Sequence, residues 1–202
     1  MMNKRKEIMI NIMLAAIQFV TVDPGHFHAA LVQNRTYEGV SPDVLVYAPE
    51  GSELMSHLSL IDQFNTRAEN PTAWKESVYT GPDFLKKFAS DAAGRSADDN
   101  RKRIVVLAGR NNVKPDYYLA AVDAGLNVLS DKPMAITAAD YMKLCDAAAV
   151  AKKEGLLFGD IMTERNEITT ILQRDRSRAT GVYGKQELGT PDDPAVTKVS
   201  VH

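Results

Sequence analysis

One cysteine, Cys145, in 202 residues excludes an internal disulfide framework and any metal site built from several thiolates. Basic charge is in no surplus: 24 Lys and Arg stand against 26 Asp and Glu, a net charge of −2. Such a chain lacks the positive field that a phosphate backbone demands, so no nucleic-acid partner is expected. The one basic run, Arg101-Lys102-Arg103, follows Asp98-Asp99 and reads as a solvated loop. No apolar run approaches the roughly 18 residues of a membrane-spanning helix. What is present is ordinary: 45% hydrophobic side chains supply enough apolar surface to order a core, which excludes a disordered or collagen-like chain. At roughly 100–200 residues per domain, the length accommodates one complete domain, and two full ones would be cramped.

Lys4-Arg5-Lys6 precedes the apolar stretch Ile8 to Ala16, the outline of a short export signal. Glu7 and Asn11 interrupt it, and no small-x-small cleavage site precedes Ile17. Residues 1–16 are therefore expected to be a leader, frayed or degraded, or an export signal. The compartment stays open between cytoplasm and cell envelope.

Beyond the leader, strand-like and helix-like segments alternate. Ile17 to Val22 is β-branched and aromatic-rich and stops at Asp23-Pro24-Gly25, a turn signal. A helix-like segment, Phe27 to Val32, precedes a second strand at Val44 to Tyr47. Leu54, Leu58 and Ile61 mark one helical face. Residues Asn65 to Trp74 are polar and irregular, Val78-Tyr79 is a short strand, and Pro82 opens a helix carrying Phe84, Leu85 and Phe88. After a polar loop from Asp91 to Arg103, Ile104 to Leu107 reads as a strand covered on both faces. Pro115 opens a helix that ends at Gly125, and Val128-Leu129 is the next strand. Thr137-Ala-Ala-Asp140 resembles a capping box. The helix it starts shows Tyr141, Leu144, Cys145 and Ala148 on one face, stops at Gly155, and leads into a strand at Leu156 to Phe158. Helices between apolar strands imply a parallel, doubly wound α/β sheet. Ligands in such a sheet gather at the carboxyl ends of the strands, which directs attention to Asp23–His28, Ala48–Gly51, Ala108–Lys114, Ser130–Pro133 and 159–165.

A dinucleotide fingerprint would want glycine at the positions of Asp23, Gly25 and His28, and only Gly25 fits. Asp23 would put negative charge near a pyrophosphate, or it caps the helix amides. His26-x-His28 after a strand is also a pattern that can place two imidazoles on one metal, as in a metal-dependent hydrolase. The only other histidines are His57 and His202, so the ligand count argues against that reading and no metal is expected. Structural or nucleotide-stacking roles suit His26, Phe27 and His28 better. Glu50, after the second strand, either accepts hydrogen bonds from an adenosine ribose or is a solvated loop carboxylate. Asp160, Glu164 and Arg165 follow the last strand and either touch substrate or pair with one another.

The block from Ala108 to Ile136 carries Asn111, Ala124-Gly125, Val128 and Lys132-Pro133. In this register it resembles the glucose-fructose oxidoreductase / inositol dehydrogenase (Gfo/Idh/MocA) family of nicotinamide-dependent enzymes. Departures are Lys114 where that family has His, Asp131 where it has Glu, and Gly109-Arg110 where it has Thr-Pro. Asp23 to Leu31, Phe64 to Pro71, Asp160 to Arg165 and Gly189 to Pro194 resemble one subgroup of provisionally described oxidoreductases, so the unusual first turn is a subgroup feature. The resemblance covers nearly all of Ile17 to His202.

The resemblance implies a Rossmann-type dinucleotide-binding domain at 17–165. It further implies a connecting helix and the truncated start of a second, α+β substrate domain at 166–202. The implied cofactor is NAD or NADP, held by Gly25, His26, Phe27, His28, Glu50, Asn111, Asp131 and Pro133. The implied reaction is hydride transfer with a hydroxyl or carbonyl of a small sugar- or cyclitol-like molecule. Lys132 is the candidate catalytic residue, because an ammonium at a strand end can stabilise alkoxide character as hydride leaves carbon. Without the resemblance, Asp131-Lys132-Pro133 reads as a polar turn. A non-catalytic nucleotide-binding remnant is the competing expectation, and homo-oligomer formation is left open.

Overall fold

The computed structural model of the chain describes residues 17–93, 101–162, 166–185, 187–190 and 192–195. The leader, His202, most of the polar loop before Arg101, and Glu164 and Arg165 lie outside them. The chain divides into two compact units, with the boundary between Ile161 and Met162.

In the first unit the elements are β1 (Ile17–Val22), α1 (His28–Leu31), β2 (Asp43–Tyr47), α2 (Ser52–Thr66), β3 (Lys75–Tyr79), α3 (Phe84–Ala93), β4 (Lys102–Leu107), α4 (Lys114–Asp123), β5 (Asn127–Ser130), α5 (Ala138–Lys153) and β6 (Phe158–Asp160). The second unit contains α6 (Ile168–Ser177), capped by the Glu167 carboxylate on the Thr170 amide, and α7 (Thr180–Tyr183). No residue of either helix is buried.

The six strands form one sheet in the order β3-β2-β1-β4-β5-β6, and every pairing is parallel. Successive side chains of a strand point to opposite faces, so a strand covered on both faces is apolar throughout. Val105 and Leu107 of β4 join one core cluster with Val20 and Val22 of β1, Val128, and Tyr118 and Ala121 of α4. Val106 and Ala108 join the other, with Phe19, Val44, Val46, Leu54, Ile61 and Trp74. The chain thus winds α1 and α2 over one face and α3, α4 and α5 over the other.

Several boundaries move from those read in the sequence. β2, β3 and β4 begin earlier, at Asp43, Lys75 and Lys102, because polar strand ends still pair through their backbones. Helix α3 continues to Ala93, so the expected loop starts later than Asp91. The last strand is Phe158–Asp160 rather than Leu156 to Phe158. Helix α5 fully buries Ala147 and Ala151; of the face read in the sequence, Leu144 and Cys145 are half-buried and Tyr141 is 59% exposed. Alanines let the helix lie close against α4. Thr137 caps α5 as expected, its hydroxyl accepting from the Asp140 amide at 3.1 Å.

Candidate functional site

Strands β1 and β4 are neighbours whose onward connections leave over opposite faces, and a crevice opens between their carboxyl ends. Two turns meet there. Asp23, just after β1, has a positive φ of 49°, and a Cβ on Gly109 would lie 1.9 Å from the Asp23 carbonyl oxygen. Only glycine permits that approach. The buried Asp23 carboxylate accepts from Tyr117 Oη at 2.9 Å and from Arg110 Nε at 3.0 Å. Its charge is thereby matched inside the turn, a requirement for a carboxylate removed from water. Burial and the adjacent Asp23 push the Tyr117 hydroxyl above the usual tyrosine range.

Beside this turn is a cleft of about 220 Å³, lined among others by Gly25, His26, Asn111, Asp131, Lys132 and Pro133. A second cleft of about 280 Å³ holds Glu50 and the start of α2. Arg110 and Glu53 line both. The structure thus brings six of the expected site residues to one cleft and Glu50 to its neighbour. Phe27 is 52% exposed, its ring 4.5 Å from that of His26 and 4.4 Å from that of His28. His28 reaches the first cleft through Asp131.

Asp131 follows β5, its amide donating to the Leu107 carbonyl at 2.7 Å. Its side chain is 3% exposed, and one oxygen accepts from His28 Nδ1 at 2.9 Å and from the Lys132 amide at 2.8 Å. Burial opposes its ionisation, but these hydrogen bonds and the two imidazoles outweigh it and hold the carboxyl below the usual range. His26 Nδ1 lies 3.1 Å from the other oxygen. Burial, then the neighbouring His28, lower the pKa of His26. The Lys132–Pro133 peptide is cis, and the Lys132 side chain stands at the exposed mouth of the cleft.

Lys114 is a residue whose importance the sequence did not disclose. It is 1% exposed, and its ammonium donates to Asn111 Oδ1 at 2.9 Å and to the carbonyls of Asp131 at 3.0 Å and Pro133 at 3.2 Å. Burial lowers its pKa, with Asp131 opposing. It ties the β4 turn to the β5 turn and so fixes the spacing of the cleft walls. The available signal was a lysine in the first turn of a helix, where the macrodipole disfavours a cation unless something else holds it. Of the other lining residues, Arg110 lies within a segment that the strand-end rule selects and Glu53 lies outside all of them. Asp160 ends β6, apart from this cleft's lining residues.

A family model described as an oxidoreductase family with an NAD-binding Rossmann fold matches residues 60–159. That span contains Asn111, Asp131 and Lys132 and leaves out the Asp23–His28 turn. None of the curated proteins matches the chain. A crystal structure from Parabacteroides merdae, of a protein with only a provisional oxidoreductase assignment, is 49% identical with a TM-score of 0.79, covering 90% of this chain and 39% of that one. Biliverdin reductase from Synechocystis, solved with biliverdin and NADP+, is 14% identical with a TM-score of 0.52 over 81% of this chain and 43% of that one. Myo-inositol 2-dehydrogenase from Lactobacillus plantarum is 15% identical with a TM-score of 0.53 over 82% and 42%. The last two share the fold alone. The chain spans about two fifths of the length of each of these structures.

Proposed function

The chain belongs to the Gfo/Idh/MocA oxidoreductase family, whose Rossmann fold is NAD-binding, and on that premise we propose that it is the cofactor-binding part of an NAD(P)-dependent oxidoreductase. Its substrate in this reading carries a hydroxyl or carbonyl on a sugar- or cyclitol-like frame. One observation carries the proposal: Gly25, Asn111, Asp131, Lys132 and Pro133, from three different strand ends, meet in one cleft at the switch point of a doubly wound sheet.

The residues present fit a dinucleotide. The two clefts share Arg110, a half-exposed cation between them, which suits a pyrophosphate lying across it. Glu50 in the second cleft suits an adenosine ribose hydroxyl. His26, Phe27 and His28 offer ring faces and ring edges beside the first. When bound, the nicotinamide supplies the hydride-exchanging carbon. The protein's part is to bind, orient and stabilise charge. Lys132 donates a hydrogen bond to the substrate oxygen and stabilises its alkoxide character. Asp131 holds the Lys132 amide and orients the turn, while Lys114 fixes Asn111 and the Asp131 and Pro133 carbonyls around it.

Addition of NADH or NADPH should raise the melting temperature and change the nicotinamide fluorescence. No change in either would end the cofactor claim for this chain. Lys132→Ala should abolish turnover while leaving dinucleotide affinity within about twofold, since it removes an interaction made at the reacting oxygen. Turnover indifferent to that change, with binding intact, would mark the chain as a binding module.

A further inference from the structure

The two histidines of the first turn acquire a third partner only in the folded chain. His26, His28 and Asp131 each place a ligand atom within 4.8 Å of those of the other two. Nδ1 of His28 and Nδ1 of His26 stand 2.9 and 3.1 Å from different oxygens of the same carboxylate. His28 makes a hydrogen bond there, whereas His26 Nδ1 is buried and makes none. A bare nitrogen lone pair facing a carboxylate oxygen is repelled by it, and the His26–Asp131 contact at 3.1 Å lacks the alignment of a good hydrogen bond. A polar atom left in that state is an unresolved cost.

We propose that His26, His28 and Asp131 form a site for one divalent transition-metal ion of the zinc class, with its remaining position open to the cleft. Two imidazoles and a carboxylate are a donor set such ions favour. With metal–ligand distances of about 2.0–2.2 Å, adjacent atoms of a tetrahedral set stand about 3.3 Å apart. The two histidine–carboxylate contacts need open by only a few tenths of an ångström, and the ligand atoms of the two imidazoles stand within 4.8 Å of each other. The Asp131 ligand is held in place: its amide is bonded to Leu107, its carbonyl to Lys114, and its side chain is 3% exposed. The imidazoles are 41% and 26% exposed, which leaves an entry path and room for a water or a ligand oxygen as fourth donor. Three protein ligands plus an open position is the arrangement of reactive rather than purely structural zinc sites. The site needs no nucleotide and stands or falls apart from the dinucleotide reading.

The test is a titration of the untagged chain, without nucleotide and near neutral pH, with Zn2+ and with Co2+ as its spectroscopic substitute. One equivalent of Zn2+ should bind per chain and raise the melting temperature, and Co2+ should give the visible bands of a four-coordinate site. His26→Gln and His28→Gln should each weaken binding at least about tenfold, while His57→Leu leaves it unchanged. In the unmutated chain, Zn2+ should shift the ring signals of His26 and His28 in an NMR spectrum and leave those of His57 in place. That readout needs no variant to fold. Absence of binding, binding that survives both substitutions, or ring shifts confined to other histidines would each overturn the proposal.

Discussion

Replacing His57 by leucine should make the protein gain stability as the pH falls toward 4.5, and replacing Glu76 by glutamine should make it lose stability over the same range. His57 is 3% exposed on the face of α2 that also buries Leu54 and Ile61, and neither ring nitrogen has a partner. Burial lowers its pKa from 6.5 to about 4. Glu76 on β3 has one oxygen bonded to Gln33 Nε2 at 2.6 Å and the other buried without a partner. Burial raises its pKa from 4.5 to about 7, with the Gln33 bond opposing. Between about pH 4 and 6.5 the unfolded chain holds a proton on His57 that the folded chain lacks, so that contribution is present above 6.5 and lost as pH falls. Between 4.5 and about 7 the folded chain holds a proton on Glu76 that the unfolded chain lacks, so that contribution is present below 4.5 and lost as pH rises. Each slope is about 1.4 kcal/mol per pH unit. Their signs are opposite.

Across the shared window, pH 4.5 to 6.5, the two nearly cancel. Removing either exposes the other, worth up to about 3 kcal/mol over those two units. Urea unfolding followed by Trp74, the single tryptophan and a buried one, measures this directly. Other carboxylates titrate in all three proteins, so the quantity to compare is each variant's stability minus that of the unmutated chain. If both differences are flat between pH 4.5 and 6.5, the two buried groups do not titrate as reasoned and the account fails.

Gly109→Ala should lower stability by about 2–3 kcal/mol, because the new methyl meets the Asp23 carbonyl oxygen at 1.9 Å and backbone must move; a melting temperature within a degree or so of the original would refute the contact. Thr137→Ala should cost about 1 kcal/mol by removing the cap on the Asp140 amide, and Thr137→Ser should restore most of it. Glu53→Gln should tighten NADH binding about threefold at low salt, since its carboxylate lies 3.3 Å from the Cβ position of Gly25, where it would repel a pyrophosphate. Added salt should erase most of that gain.

The fold was legible where apolar period and strand length agree. β1 was read with its observed ends, and Ile104 to Leu107 announced a two-sided strand. The edge strand β3 was only half visible, because Lys75, Glu76 and Ser77 carry no strand signature and pair through backbone alone. The face of α5 was only half legible, because Ala147 and Ala151 mark themselves by smallness rather than apolar bulk. For the site, the strand-end rule located the segments and could not supply their partners. Asp131 meets His28 across 103 residues, Arg110 meets Asp23 across 87, and Lys114 reaches Asp131 across 17. Such pairings depend on the register of the sheet, which no local pattern records.

These pairings change the meaning of the missing glycines. Asp23 stands at a fingerprint glycine position, and its positive φ supplies the backbone shape for which glycine is usually needed. Its carboxylate is satisfied by Arg110 and Tyr117, and Gly109 is the glycine that makes room for its carbonyl. His28, at the last fingerprint position, is bonded to Asp131, which takes its place in a turn that Lys114 secures. The substitutions are therefore coupled. Restoring glycine at position 23 alone would leave the Tyr117 hydroxyl buried without an acceptor and Arg110 without its anion. Restoring it at position 28 alone would leave a buried carboxylate short of a donor. A turn in which Asp23 and His28 are each matched by a partner across the sheet is a coupled unit, in which a departure from the glycine pattern can be reversed only together with its partner.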